Sequence, residues 1–485
     1  MIEILDEADM VTRGRAYLDS LAGRRVTVVG LARSGVAAAR LLRAAGAQVT
    51  GTDAKPLDAL GREAAELQAL GVQLLTGGVA ADSCAAAELV VVSPGVPADS
   101  RELAGARARG VPVIGELELG WRAMDAETIA ITGTNGKTTT TVLTGTLLGE
   151  QPRPVLVAGN IGTPLAANAL TFPADGLVVC ETSSFQLETI DAFHPRVAAV
   201  LNLTPDHLDR HGSFAVYADA KARIFRNQTA ADCAVLNADD EATRALAPRT
   251  RAHVLWFSRT RELGRGVFVR DGWVAAKLNG RVEEICPVAE ILLRGAHNVE
   301  NVLAAAACAL WVGLAPAAIR RAIGRFRGVA HRIEFVRHVR GVHYYNDSKG
   351  TNVASTLKAL ESFAERIVLI AGGRGKGQDF TPLAAAARGR VGHAVVIGED
   401  GPTIAAALLT ADIPVTACSS LEAAVETAKG LAGPGDVVLL SPACASFDMF
   451  DNFEHRGDMF KRLVERLEPV GGSGGGAAVA PPQGK

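Results

Sequence analysis

The string Thr128-Ile-Ala-Ile-Thr-Gly133-Thr134-Asn135-Gly136-Lys137-Thr138-Thr139 reads as a β-branched strand entering a glycine-rich turn and then a helix-compatible run, Thr141 to Leu148. Such a turn suits phosphate. The glycines let backbone N–H groups point at anionic oxygens, the Lys137 ammonium adds a point charge, and the Thr138 hydroxyl can hold a magnesium ion at a helix N-terminus. The loop is shorter than the common P-loop, because only Thr134 and Asn135 lie between Gly133 and Gly136 and Ile131 stands where the first glycine would be. Its place between a strand and a helix marks it as a nucleotide site.

Two further clusters follow strand-like runs. Glu181 ends Leu177-Val-Val-Cys-Glu181 and opens Glu-Thr-Ser-Ser-Phe-Gln-Leu-Glu, which puts a carboxylate at the carboxyl edge of the sheet that carries the phosphate loop, where α/β folds collect ligands. Asn202-Leu-Thr-Pro-Asp206-His207-Leu-Asp209-Arg210-His211 follows another strand end. His207 alone reads as a packed or capping histidine. With Glu181 and Thr138 it becomes a candidate for a second magnesium, whose hard character favours oxygen and makes a histidine a minority ligand. Lys221, in Tyr217-Ala-Asp-Ala-Lys-Ala-Arg-Ile-Phe225, reads by default as a solvated helix lysine, and Asn298 by itself reads as a helix cap. The run Ala371-Gly-Gly-Arg-Gly-Lys-Gly-Gln-Asp379 is either a working loop or a mere turn of the chain.

The elements that must position these groups fall into three successive α/β blocks. At 485 residues the chain exceeds one core, and domains of ~150 residues predict about three. In the first block Arg25–Gly30, Gln48–Asp53 and Leu89–Ser93 are strands and Val36–Ala45 a helix. The pattern is Rossmann-like. The turn Gly30-Leu-Ala-Arg-Ser-Gly35 with Asp53 downstream imitates a dinucleotide fingerprint, but Ala32 replaces the glycine that lets backbone approach a pyrophosphate, so a redox cofactor is disfavoured. The second block adds strands at Leu177–Glu181, Val197–Leu203, Ala234–Asn237 and Val254–Phe257. The third has strands at Ile367–Ala371, Ala394–Ile397 and Val437–Ser441 with a helix at Leu421–Leu431, which reads as a second doubly wound sheet. The fold expected is α/β in three domains: residues 1–114 Rossmann-like, 115–328 a central P-loop ATPase-type domain, and 329–468 a C-terminal doubly wound domain. Residues 469–485, mostly glycine, alanine and proline, read as a disordered tail.

Composition narrows the function classes. A hydrophobic fraction of 48%, 51 glycines and 5% aromatics fit an Ala/Val/Leu-rich α/β protein with many tight turns. Fifty basic residues against 52 acidic ones give a net charge of -2, which offers no electrostatic reason to bind nucleic acid or an anionic membrane. Seven scattered cysteines without a C-x-x-C pair suit reduced thiols in a cytosol. The acidic start lacks the basic and apolar regions of an export signal, so a cytoplasmic location is expected. Val302–Ile319 is uncharged but interrupted by Gly313 and Pro316, and reads as a buried helix plus a turn rather than a membrane span.

Taken together, Gly-Thr-Asn-Gly-Lys-Thr, Glu-Thr-Ser-Ser-Phe-Gln-Leu, Asn-Leu-Thr-Pro-Asp-His-Leu-Asp-Arg, His-Asn-x-x-Asn, Ala-His-Arg and Asn-Asp-Ser-Lys resemble the Mur ligases of peptidoglycan synthesis. The resemblance runs from about Val26 to Leu467, with the motifs in order through all three blocks. The run Ser441-Pro-Ala-Cys-Ala-Ser-Phe-Asp-Met-Phe-Asp-Asn-Phe-Glu-His-Arg456-Gly457 is most similar to the branch that adds D-glutamate, and the Asp-Asn-Pro-Arg motif of the diamino-acid-adding branch is absent.

This resemblance implies an ATP-dependent ligase that joins D-glutamate to UDP-N-acetylmuramoyl-L-alanine through an acyl phosphate. It also implies a division of labour: Ser34, Asp53, Ser93, Gly95 and Asn160 would hold the UDP-sugar, and Gly133 to Thr139 would cradle ATP. Asn298 and Asn301 would lie near the adenine, with Arg332 and Asp347 closing on ATP from the third domain. Lys349, Thr351, Lys376, Ser446 and Phe453 would surround D-glutamate, as a lysine and hydroxyls suit a dicarboxylate. Thr138, Glu181, His207 and Lys221 would serve two magnesium ions, with Lys137 beside them. Lys221 would be carbamylated, since an ammonium repels dications where a carbamate offers oxygens. Arg374 departs from the pattern by adding a cation beside Lys376, and the stretch before Leu21 has no functional account. A monomer acting on small molecules is expected, with no nucleic-acid or membrane partner and with the third domain drawn inward by its ligands. Other readings are a sister ligase, such as a folylpolyglutamate synthetase, a P-loop ATPase that drives a partner, and a nucleotide-binding regulator without chemistry.

Overall fold

The computed structural model describes residues 13–97, 100–375 and 377–467, the side chain of Asp209 excepted. The 469–485 tail and Lys376 lie outside them. The first sheet contains β1 (Arg25–Val29), β2 (Gln48–Asp53), β3 (Gln73–Thr76), β4 (Leu89–Val92) and β5 (Val113–Gly115). Its order is β3-β2-β1-β4-β5 and every pairing is parallel. β1 and β4 are buried almost throughout, the signature of a sheet covered on both faces.

The second sheet is built from β6 (Glu127–Thr132), β7 (Val155–Gly159), β8 (Leu177–Glu181), β9 (Val197–Val200), β10 (Cys233–Asn237), β11 (His253–Ser258), β12 (Gly266–Arg270), β13 (Trp273–Lys277) and β14 (Val282–Pro287). Its order is β14-β13-β12-β11-β10-β9-β6-β8-β7. The strands from β12 to β7 run parallel, and β12, β13 and β14 form an antiparallel meander that the sequence patterns did not disclose. Because β6, β8 and β9 are parallel neighbours, Thr132, Glu181 and Val200 end at one edge. β9 stops three residues short of the expected Leu203, where the Asn202 side chain turns to donate to the Asn135 carbonyl oxygen at 3.1 Å.

The third sheet comprises β15 (Glu334–Val339), β16 (Val342–Asn346), β17 (Ile367–Gly372), β18 (Val391–Ile397), β19 (Val415–Ala417) and β20 (Val437–Leu440), in the order β15-β16-β20-β17-β18-β19. Only the β15–β16 pairing is antiparallel. Three sheets occupy two compact units, Met1–Val288 with Glu300–Ala322 and Ala289–Val299 with Ile323–Lys485.

In the first unit one apolar cluster runs from Leu21 and Val28 through Trp121 and Phe193 to Leu236, so the first two sheets share a core. Glu118 fastens them. Its fully buried carboxylate accepts backbone N–H groups of Asp191, Ala192 and Phe193 at 2.8–3.0 Å and pairs with Arg122 at 2.5 Å. Residues 13–20 have a structural role, since Arg13 lies over the Trp121 ring at 3.9 Å and the Gly14 N–H donates to Asp125 at 2.9 Å. As expected, Val302–Ile319 is a buried helical segment, Ala296–Trp311, followed by a turn at Gly313 and the helix Pro316–Ile323. No helix among the described residues is long and apolar enough to cross a membrane.

Candidate functional site

In the first unit the phosphate loop leaves β6 and enters the helix Lys137–Leu148 with Gly136 as its N-cap at φ 80°. A Cβ at Gly136 would come within 2.3 Å of Asn301 Oδ1, so glycine is required here by both conformation and contact. Asn301 Oδ1 also accepts the Thr140 hydroxyl at 3.2 Å. The Lys137 ammonium curls over its own loop, donating to the carbonyl oxygens of Gly133 (3.0 Å) and Thr134 (2.9 Å). Thr139 is half-buried in the same turn.

The loop is tied to the segment after β9. The Asn135 N–H donates to Asn202 Oδ1 at 2.8 Å, and the Thr134 hydroxyl donates to the Thr204 carbonyl (3.1 Å) while accepting its N–H (3.0 Å). Thr134 also lies 3.0 Å from the Tyr217 hydroxyl. Thr138 and Glu181, both buried, meet directly as the hydroxyl donates to Glu181 Oε2 at 2.8 Å. The other carboxylate oxygen accepts the Asn160 amide at 2.8 Å. A hydroxyl and a carboxylate at the C-terminal edge of a parallel sheet are hard oxygen donors that fit magnesium.

Lys221 overturns its default reading as a solvated lysine. It is 2% exposed, on the inner face of the helix Phe214–Ala222, and its Nζ donates to the Thr132 hydroxyl at 3.2 Å and sits 4.8 Å over the Tyr217 ring. Burial, reinforced by the Lys137 charge, lowers its pKa from 10.5 to about 7, with Asp206 and Glu181 opposing. His207, in contrast, is half-exposed in a left-handed conformation, and its described partners are Asp206 at 3.6 Å and the Phe185 ring at 4.9 Å. The buried imidazole of this region is His211, 3.0 Å from the Ser184 hydroxyl and 3.4 Å from Glu188, with its pKa lowered by burial. Sequence reasoning passed over His211 and Tyr217. Their spacing of six residues across a helix start carries no signature, and only the fold brings the two rings edge to face, with centroids 5.4 Å apart.

At the C-terminal edge of the first sheet Asp53 accepts the Leu31 N–H at 2.6 Å and the Lys55 N–H at 2.9 Å, and the Ser93 hydroxyl donates to the Gly30 carbonyl oxygen at 2.6 Å. Ser34 is half-buried in the first turn of the helix Arg33–Ala44, and Gly95 is exposed in the turn after β4. These four predicted residues thus share one sheet edge.

In the second unit Asn298 lies in the first turn of the helix Ala296–Trp311 and its amide donates to the Arg294 carbonyl oxygen at 2.6 Å. Arg332 is exposed. Asp347 is buried; burial raises its pKa to about 7, against the Ser441 hydroxyl at 2.7 Å and the Ile333 N–H at 3.2 Å. Lys349 Nζ lies 5.4 Å from the Phe453 ring, and the Thr351 N–H donates to the Lys349 carbonyl oxygen at 2.8 Å. Ser446 is buried, its carbonyl oxygen taking the N–H groups of Met449 and Phe450. Arg374 forms a forked pair with Glu399 at 2.8 and 2.7 Å.

Three segments of the chain match known family models: residues 24–115 the Mur ligase MurD-like N-terminal domain, 131–309 the Mur ligase middle domain, and 331–444 the Mur ligase glutamate ligase domain. A curated relative from Koribacter versatilis, named UDP-N-acetylmuramoylalanine--D-glutamate ligase, is 48% identical over 92% of this chain and 98% of its own. The chain belongs to the Mur ligase family. A relative of the same name from Pelotomaculum thermopropionicum is 47% identical to this Mur ligase over 92% of the chain and 98% of the relative. Among solved structures, UDP-N-acetylmuramate-alanine ligase MurC from Thermotoga maritima shares the Mur ligase fold at TM-score 0.56 and 23% identity, covering 92% of this chain and all of that one. MurF from Acinetobacter baumannii aligns with TM-score 0.55 and 20% identity over 78% and 85% of the two chains.

Proposed function

We propose that this Mur ligase joins D-glutamate to UDP-N-acetylmuramoyl-L-alanine, converting ATP to ADP and phosphate. The observation that carries the reading is the 48% identity, over 92% of the chain, to a protein of that activity's name. The substrate carboxylate attacks the γ-phosphorus of ATP and ADP leaves. The amine of D-glutamate then attacks the acyl phosphate, forming the amide and releasing phosphate. Such transfers need alignment and charge neutralisation more than a nucleophilic side chain.

In this reading the loop N–H groups and Lys137 receive the phosphates, and Asn298, Asn301, Arg332 and Asp347 serve the remainder of ATP. Ser34, Asp53, Ser93, Gly95 and Asn160 hold the UDP-sugar. Thr138 and Glu181 would hold magnesium, with His207 and a carbamylated Lys221 at a second ion; bound there, magnesium supplies positive charge against the phosphoryl oxygens. A buried amine with a pKa near 7 supports carbamylation, because the neutral form is the nucleophile toward carbon dioxide. Lys349, Thr351, Lys376, Ser446 and Phe453 receive D-glutamate. A reaction among ATP and water-soluble nucleotide substrates belongs in the cytoplasm.

The test is ADP release from purified protein with ATP, magnesium and UDP-N-acetylmuramoyl-L-alanine, comparing D-glutamate with L-glutamate, L-alanine, L-lysine, diaminopimelate and no acceptor. Turnover with D-glutamate alone is expected. Acceptor-independent hydrolysis would indicate a P-loop ATPase, and turnover with another amino acid a sister ligase.

A further inference from the structure

Arg456 is 1% exposed, one of the largest fully buried side chains; among the described residues its hydrogen bonds all go to neutral oxygens, and the Asp448 and Asp347 carboxylates act on it only at longer range. Its Nε donates to the Ser348 hydroxyl at 3.0 Å and its Nη2 to the carbonyl oxygens of Ser348 (2.9 Å) and Cys444 (3.2 Å). Its Nη1 reaches those of Gly372 and Ala445, both at 3.4 Å. The contacted residues lie at the ends of three strands, Ser348 just after β16, Gly372 as the last residue of β17, and Cys444 and Ala445 in the loop after β20, while Arg456 itself stands in the helix Phe453–Glu465.

Each of those strand ends carries a residue assigned above to the amino acid, or leads in sequence to one. Ser348 precedes Lys349 and Thr351, Gly372 opens the run that contains Lys376, and Cys444 and Ala445 precede Ser446. The helix also begins with Phe453, whose carbonyl oxygen accepts the Ser348 hydroxyl at 2.8 Å. Packing leaves little play around the fork. A Cβ on Gly373 would stand 3.2 Å from Arg456 Nη1 and 2.2 Å from the Ala445 carbonyl oxygen. Arg374 and Ala445 exchange backbone hydrogen bonds at 2.9 and 3.0 Å.

Burying a charge among neutral acceptors is costly, and a planar five-donor fork is the side chain able to hold several carbonyl groups at fixed angles. We propose that Arg456 is a positioning residue for the amino-acid pocket, whose guanidinium sets the spacing of the three strand ends and leaves a buried positive charge for an incoming dicarboxylate. The proposal rests on the D-glutamate reading of that pocket. An ammonium in its place keeps the charge but cannot span the same acceptors.

The experiment compares wild type, Arg456→Lys and Ser348→Ala in full-length protein, measuring kcat and KM for D-glutamate, ATP and the UDP substrate, together with Tm. Arg456→Lys is expected to raise KM for D-glutamate at least about ten-fold, within the ~10²-fold that a misplacement near 1 Å can cost, with the other two KM values within about two-fold. Ser348→Ala, which removes one acceptor of the fork and the Phe453 tie, is expected to shift the same KM in the same direction by a smaller factor. A D-glutamate KM unchanged in folded Arg456→Lys, or equal changes in all three KM values, would overturn the proposal. If Arg456→Lys does not fold, the Ser348→Ala ratio decides by the same criterion. A wild type that turns over without D-glutamate would defeat the functional reading instead, so the two failures are distinguishable.

Discussion

The Thr138 hydroxyl and the Glu181 carboxylate meet at 2.8 Å across 43 residues of chain, joining the first turn of the phosphate-loop helix to the end of β8. The Asn160 amide fixes the second carboxylate oxygen. Glu181→Gln preserves the size and keeps one acceptor oxygen for the Thr138 hydroxyl, puts an NH2 group where the Asn160 amide donates, and removes the charge that would face a divalent cation. The expected result is a fall in kcat of ~10²–10³, the scale for losing one preorganised electrostatic contact. Tm should stay near that of wild type, and the magnesium concentration for half-maximal ADP release should rise. Titrating magnesium under steady-state conditions checks both; an unchanged magnesium dependence removes Glu181 from the metal site.

Glu116 gives folding stability a pH dependence. It is fully buried, one oxygen accepts the Ala166 N–H at 2.7 Å, and the other has no hydrogen-bond partner. Burial raises its pKa from 4.5 to about 7, with the Ala166 and Leu165 N–H groups and Arg33 pulling the other way. Because the folded state binds this proton more tightly than the unfolded chain, its contribution is complete below about 4.5 and is lost as pH rises through about 7. Glu116→Gln, neutral at every pH, should match wild type near pH 5 and exceed its Tm by a few degrees near pH 8. Calorimetry across that range checks the crossover; parallel curves refute it.

The amount legible in the sequence differed between these two sites. A loop whose chemistry is local could be read directly, since Gly133, Gly136, Lys137 and Thr138 follow one another and β6 precedes them. Glu181 could be placed because a carboxylate ending an apolar strand must emerge at the sheet edge. Partners that meet only in the fold were not legible. Glu116 and the Ala166 N–H are 50 residues apart, Arg456 and the Ser348 hydroxyl 108, and no periodicity links them. Lys221 misled because its helix mixes Ala, Val and Tyr with few charges, so no polar stripe identified the inward face. The β12–β14 meander was passed over because its strands carry charged residues, Arg270 and Lys277 at the ends of β12 and β13 and Glu283 with Glu284 inside β14, and so show no clean apolar run.

Lys221 predicts carbamate chemistry near neutral pH. With its pKa lowered to about 7, a substantial share of the amine is neutral near pH 7, where a lysine at its ordinary 10.5 is almost wholly charged. The neutral nitrogen forms a bond to the carbon of carbon dioxide, and its proton leaves to solvent. Carbon-13-labelled bicarbonate should give a carbamate resonance in wild type that is absent in Lys221→Arg. Arginine stays protonated, so kcat should also fall at least ~10²-fold. The lowered pKa carries the opposite linkage to Glu116: stability should climb as pH rises from about 7 toward 10.5, and Lys221→Met should abolish that slope. A wild type without a carbamate signal that still turns over would show that the free amine suffices.

Arg374 supplies the converse prediction, a charge beside the loop proposed to receive D-glutamate that should matter little. Its guanidinium is half-exposed and forks onto Glu399 at 2.8 and 2.7 Å, which holds its pKa up and depresses that of Glu399. Both partners face solvent, where ion pairs contribute little to stability, and the pair has no net charge to offer a dicarboxylate. Arg374→Ala should therefore leave KM for D-glutamate within about two-fold and Tm nearly unchanged. Glu399→Gln is the sharper probe. It frees the arginine while leaving it in place, and a fall in KM for D-glutamate, reversed by adding Arg374→Ala, would show the cation reaching the amino acid once released. Identical KM values for both single variants and wild type would confine the pair to the surface.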